Sequence, residues 1–143
     1  MPEGEAEALW HASCVAVGER GLLIHGPSGA GKSALALKLM ALGAQLVADD
    51  QVLLRRDGAD VVARCPPQIR GLIEARGMGL LRATARDAVR VALVVDLSRQ
   101  EDHRLPPRHH IAVLGVTLDL VLAVQADHFP YALLQYLRDG RQA

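Results

Sequence analysis

The chain has 143 residues, half of them hydrophobic, enough to bury one core and too few for two. Its 16 Lys and Arg balance its 16 Asp and Glu, so no net field draws it to nucleic acid or to an anionic membrane, and neither is expected as a partner. Cys14 and Cys65 stand far apart without a Cys-x-x-Cys or Cys/His cluster, which argues against a zinc framework or a disulfide scaffold and fits a reducing cytoplasm.

In chain order, residues 1–8 are acidic and precede no long apolar run, so they do not read as a secretory signal. Residues 13–17 and 21–25 read as two short strands around a Gly18-Glu19-Arg20-Gly21 turn. A helix is predicted over 33–42, with Leu35, Leu39 and Leu42 near a 3.6-residue period and Gly43 as its stop. Strands follow at 45–48 and 52–55, then an Asp57-Gly58 hairpin turn into 60–64, which Pro66-Pro67 ends. Residues 69–81 fit neither period and read as loop with a short strand. A buried strand is predicted at 89–97, an exposed, mobile loop at 98–110, a strand at 116–124 and a last helix at 131–138. The apolar runs at 89–97 and 116–124 are each broken by Asp and fall short of the ~20 residues that span a bilayer.

Gly26-Pro27-Ser28-Gly29-Ala30-Gly31-Lys32-Ser33 matches the Walker A pattern G-x-x-x-x-G-K-[ST] in full, between a predicted strand and a predicted helix. The glycines let the backbone curl so that successive N–H groups point at phosphate oxygens, aided by the positive end of the helix. Lys32 would reach the β and γ phosphates of ATP, and Ser33 would place its hydroxyl on Mg²⁺. Nucleotide binding follows from this loop.

A P-loop needs an acidic partner, and two candidates exist. Asp49-Asp50 follows the strand 45–48, whose end is expected beside the P-loop in a parallel sheet. Asp96 ends Val91-Ala92-Leu93-Val94-Val95, which looks like a Walker B strand. Adjacent carboxylates in one partly desolvated site separate in proton affinity, which suits general acid/base work. From pattern alone both remain open.

Together with His11 upstream and Leu46-Val47-Ala48-Asp49-Asp50, one further segment is distinctive: Pro66-Pro67 followed by Gly71-Leu72-Ile73-Glu74-Ala75-Arg76-Gly77-Met78-Gly79. Over residues 11–105 the chain resembles HPr kinase/phosphorylase, whose signature that segment matches. The resemblance implies an α/β fold: a single P-loop domain with a mixed central sheet flanked by helices, of phosphoenolpyruvate carboxykinase-like architecture, at 11–143 after an N-terminal extension at 1–10.

It also implies a cytoplasmic enzyme that phosphorylates a serine of the carrier protein HPr with ATP and removes that phosphate with inorganic phosphate. Asp49 would be the base in one direction and the acid in the other, Asp50 would orient the site, Ser33 and Glu74 would hold Mg²⁺, and His11 would stand beside Asp49. Arg104 resembles the arginine of the family's Asp-Arg-Leu loop, which implies stabilisation of phosphate charge. Arg76, Gly77 and Gly79 belong to the signature, with Arg76 also readable as a structural partner of Glu74. A homo-oligomer, in the family a hexamer, is implied as well. After Leu105 the family pattern is only partly matched by Arg108-His109-His110-Ile111-Ala112. Two other readings of the P-loop are a kinase or ATPase for a small metabolite, using Asp96 as the metal-side acid, and a nucleotide-binding regulatory module without transfer activity.

Overall fold

The computed structural model describes residues 6–143. Eleven strands and two helices follow one another as β1 (Glu7–Trp10), β2 (Ala12–Val17), β3 (Arg20–His25), α1 (Lys32–Ala41), β4 (Gln45–Ala48), β5 (Val52–Asp57), β6 (Asp60–Arg64), β7 (Leu72–Ala75), β8 (Gly79–Arg82), β9 (Ala88–Gln100), β10 (His109–Val113), β11 (Val116–Ala123) and α2 (Phe129–Asp139). No helix among the described residues is long and apolar enough to cross a membrane.

β9 is the branch point of the sheet. Its first residues, Ala88–Arg90, pair antiparallel with β6; from Val91 onward it runs parallel to β3 on one side, and from Leu93 parallel to β11 on the other. The order is β1-β5-β6-β9-β3-β2-β4, with β11 and then β10 attached to β9. The sheet is therefore mixed.

Side-chain alternation assigns the two faces. Val15, Leu22, Ile24, Leu93 and Val95 pack against Leu35 and Leu39 of α1 and Leu133 and Leu137 of α2. Cys14, Ala16, Leu23 and Val94 turn to the other side, where the sheet curls over them with Val52, Leu54, Val61 and Ala63 of the β5-β6 hairpin. Both helices thus cover one face, and the curled arm of the sheet covers the other.

Several expectations change in detail. β4 lies parallel in direction to β3 but pairs with β2, antiparallel, because the β2-β3 hairpin leaves that edge of β2 free. Where a loop with one short strand is expected at 69–81, two short strands form a hairpin, β7 with β8, preceded by a 3₁₀ turn at Pro67–Ile69. Two strands of four residues joined by a Gly-rich turn are too short to declare a period.

The expected loop at 98–110 shrinks at both ends, since β9 runs on to Gln100 and β10 begins at His109. β10 turns into β11 through Leu114 and Gly115, both at positive φ (51° and 79°), and a leucine in that position gives no turn signal. α2 starts at Phe129, earlier than 131, because Pro130 suits a first helical turn. Residues 7–10, set apart in the expected extension at 1–10, form β1 and pair with β5, so the sheet begins upstream of residue 11. Residues 1–5 of that extension lie outside the described residues.

At the far edge, β4 is crossed by the segment that follows β8: Leu46 bridges Ala85, and Arg86 N–H donates to the Leu46 carbonyl at 2.8 Å.

Candidate active site

β3 delivers the chain at His25 directly into the P-loop. A Cβ on Gly26, at φ 157°, would stand 3.2 Å from the Cβ atoms of both Ala30 and Leu97, tighter than most side chains tolerate. Gly31, at φ 97° in the left-handed region, is the N-cap of α1. No side chain caps that helix start and no acidic residue occupies its first turn. The first backbone N–H groups are thereby left to an anion, with the helix dipole behind them.

Pro27, Ser28 and Gly29 are exposed, and the turn is closed by Ala30 N–H donating to the Pro27 carbonyl at 3.1 Å. Lys32 is buried, its Nζ donating to the carbonyls of Gly26 at 2.8 Å and Pro27 at 3.1 Å. The loop's own carbonyls thus hold the ammonium group at the place where phosphate would approach.

Asp49 is 5% exposed and has three donors. Its Oδ1 accepts from Ser33 Oγ at 2.7 Å and from Ser13 Oγ at 2.7 Å, while its Oδ2 accepts from the Glu74 backbone N–H at 3.0 Å. One carboxylate therefore ties together the P-loop helix, strand β2 and the β7-β8 hairpin. Ser13 is a contact that no sequence signal announces.

Asp50, the next residue, is exposed and has φ 68°. Gln51 N–H donates to the Asp49 carbonyl at 2.8 Å and Ala12 N–H to the Asp50 carbonyl at 3.2 Å, which fixes a tight turn centred on Asp50. Aspartate tolerates the left-handed region better than most residues. The reversal sends the two side chains to different places, Asp49 into the protein and Asp50 into a cleft.

That cleft holds about 520 Å³. Ser28, Gly29, Gly31, Lys32 and Ser33 line one side, and Asp50, Glu74 and Arg76 line the other. Gly77 and Gly79, at φ 87° and 126°, make the hairpin turn that carries Glu74 and Arg76 there. The Ser33 hydroxyl and the Glu74 carboxylate are hard oxygen donors of the kind Mg²⁺ takes, few in number and beside a phosphate cradle, so the donor set fits a magnesium nucleotide.

The remaining candidates fall elsewhere. His11 is exposed rather than packed in the core, and the N–H of its neighbour Ala12 is the one that binds the Asp50 carbonyl, so its backbone neighbours Asp50. Asp96 pairs in register with His25, where a Walker B acid would stand, but it is not among the cleft residues. Burial raises its pKa, yet hydrogen bonds from the Ser98 hydroxyl and N–H and from Arg99 outweigh this and hold the carboxyl below its ordinary range. Arg104 is exposed in the loop between β9 and β10 and lies outside the cleft lining.

The family model described as "HPr Serine kinase C-terminal domain" matches residues 5–117. The HPr kinase/phosphorylase of Cupriavidus necator is 42% identical to this chain over 113 residues, 71% of this chain and 35% of the relative. That of Burkholderia lata is 38% identical over 126 residues, 80% of this chain and 39% of the relative. The chain thus spans somewhat more than a third of the length of the curated relatives it matches. The solved structure of the Hpr(Ser) kinase/phosphatase from Coxiella burnetii has the same fold, with a TM-score of 0.77 at 23% identity over 92% of this chain and 95% of that one. On a family match that covers most of its length, the chain belongs to the HPr serine kinase C-terminal domain family.

Proposed function

We propose that this chain uses Mg-ATP to phosphorylate a serine of an HPr-type phosphocarrier protein, and that it removes the phosphate by transfer to inorganic phosphate. The observation that carries this reading is the pair Asp49 and Asp50, one binding the P-loop serine and the other displayed across the same cleft. The names of the relatives, each an HPr kinase/phosphorylase, supply the acceptor class.

In this reading the two carboxylates exchange the roles that the resemblance implied. Asp49 already accepts three hydrogen bonds and is 5% exposed, which leaves it poorly placed to meet an incoming serine. Asp50 is exposed in the cleft and is the better general base. As the acceptor serine oxygen attacks the γ-phosphorus and the bond to ADP breaks, Asp50 takes the serine proton. In reverse, an oxygen of inorganic phosphate attacks the phosphoserine, pyrophosphate forms, and Asp50 returns the proton to the departing serine oxygen.

Lys32 would exchange the Gly26 and Pro27 carbonyls for phosphate oxygens, and the open N–H groups at the start of α1 would take the remainder. Ser33 and Glu74 would hold Mg²⁺, which when bound neutralises charge on the transferring phosphoryl group. Arg76, on the cleft wall, is the nearer candidate for a cationic partner of that charge than Arg104, and His11 would act on Asp50 rather than on Asp49. The catalytic unit would include β1.

The test is transfer of labelled γ-phosphate from Mg-ATP to HPr of the same organism, with Asp50→Asn and Asp49→Asn in parallel. Labelling of a serine that added phosphate reverses, and that Asp50→Asn abolishes while nucleotide still binds, is the expected result. Nucleotide binding without any label on HPr would instead favour a small-metabolite acceptor.

A further inference from the structure

Ser13 is fully buried in β2, between Ala12 and Cys14 and just before Val15 and Ala16, in an otherwise apolar strand. A hydroxyl in such a place costs stability unless it finds a partner. Its partner is Asp49 Oδ1 at 2.7 Å, the same oxygen that accepts the Ser33 hydroxyl at 2.7 Å. Ser13 reaches that oxygen from the protein interior and Ser33 from the half-buried cleft side.

A serine hydroxyl has one hydrogen and two lone pairs. While the hydrogen of Ser33 points at Asp49, the lone pairs of its oxygen are free for a cation. That arrangement needs Asp49 to stay put, and the last side-chain torsion of an aspartate is a soft one. The Glu74 N–H restrains Oδ2; Ser13 is the interior restraint on Oδ1.

We infer that Ser13 is a positioning residue for metal binding: by fixing Asp49 Oδ1 it keeps the Ser33 hydrogen turned inward and the Ser33 oxygen presented to a divalent cation. The inference rests on the reading of this cleft as a magnesium-nucleotide site. Groups that hold a metal ligand from behind typically alter metal affinity by about 10- to 100-fold when removed.

The experiment follows a fluorescent ATP analogue by its emission, first without metal and then as Mg²⁺ is titrated, for wild type, Ser13→Ala and Ser13→Cys. Cysteine nearly conserves the shape and keeps only a weak donor. Both variants are expected to bind the metal-free nucleotide as wild type does, which also reports that the P-loop is folded, and to need roughly 10-fold more Mg²⁺ for half-saturation. An unchanged Mg²⁺ requirement in both variants overturns the inference, as does an equal weakening with and without metal, which would mark Ser13 as structural only. Failure of the wild type to bind the analogue would overturn the magnesium-nucleotide reading itself.

Discussion

At the scale of single residues the site turns on one backbone angle. Asp49 and Asp50 have the same side chain, and the positive φ of Asp50 sends one inward and the other outward. Asp49→Ala should remove a common acceptor from Ser13, Ser33 and the Glu74 N–H, the first of these bonds buried and the other two partly so. A loss of roughly 2–4 kcal/mol is expected in chemical denaturation. Asp50→Gly should behave oppositely. Relieved of a left-handed φ on a non-glycine residue, the fold should be unchanged or gain up to about 1 kcal/mol, while HPr labelling disappears. Lys32→Ala should weaken nucleotide binding and stop both directions of transfer, read by the same fluorescent analogue and by labelling.

The P-loop was legible because its residues are contiguous and each has a fixed task in the pattern. The division of labour between Asp49 and Asp50 was not, since it depends on Ala12 and Gln51 fixing a turn. Ser13 carried no signal at all, because a serine in a strand reads as a tolerated small residue until its acceptor, 36 positions away, is brought beside it.

At the scale of elements, the β7-β8 hairpin and the loop after β9 are the pieces that a pattern search does not resolve. The hairpin is tied at its base, where Ala83 N–H donates to the Gly71 carbonyl at 2.9 Å. Gly71 has φ 72°, and a Cβ there would stand 2.9 Å from the Ala83 oxygen. Gly71→Ala should therefore cost about 1–3 kcal/mol in a thermal melt and loosen the cleft wall that carries Glu74 and Arg76.

The loop of residues 101–108 is organised by Glu101, which accepts from His109 Nε2 at 2.8 Å and from the backbone N–H groups of Asp102 and His103 at 3.0 and 3.2 Å. The His109 hydrogen bond comes first among the causes that hold its pKa down to about 2, against an ordinary 4.5. A carboxyl whose folded pKa is depressed contributes stability that is complete above its free value and fades as pH falls towards the folded one. Amide-exchange protection at Asp102 and His103 should accordingly decline between about pH 4.5 and about pH 2, and His109→Ala should start that decline at a higher pH. Charge and two prolines marked this stretch as loop in sequence; that Glu101 at its start is tied to His109 at its end is not a pattern the sequence displays.

At the scale of the whole molecule, β9 joins the two halves of the fold. It leaves β6 at Arg90 and joins β3 at Val91, next to Gly21. A Cβ on Gly21 would stand 2.5 Å from Val89 Cγ1 and 2.9 Å from the Arg90 carbonyl oxygen. Gly21→Ala should thus force the junction apart, at about 1–3 kcal/mol or somewhat more, seen as a lowered melting temperature without loss of cooperativity. The strand-loop-helix unit and the mixed sheet were foreseeable from hydrophobic spacing and the family signature. The gathering of both helices on one face was not, because it depends on the β5-β6 hairpin folding over the opposite face, a matter of curvature rather than of period.

The crossing of β4 by its own chain has a consequence for self-association. The terminal strand of a sheet ordinarily exposes amides and carbonyls on which a second molecule can template itself, the usual start of polymerisation through the backbone. Here the Leu46 carbonyl is engaged by Arg86 N–H, and Arg86 is pinned in turn by the Gly18 carbonyl and by Glu19 at 3.0 Å. A neighbouring copy meets a closed margin at Leu46, so backbone pairing between molecules cannot run through that point of the edge.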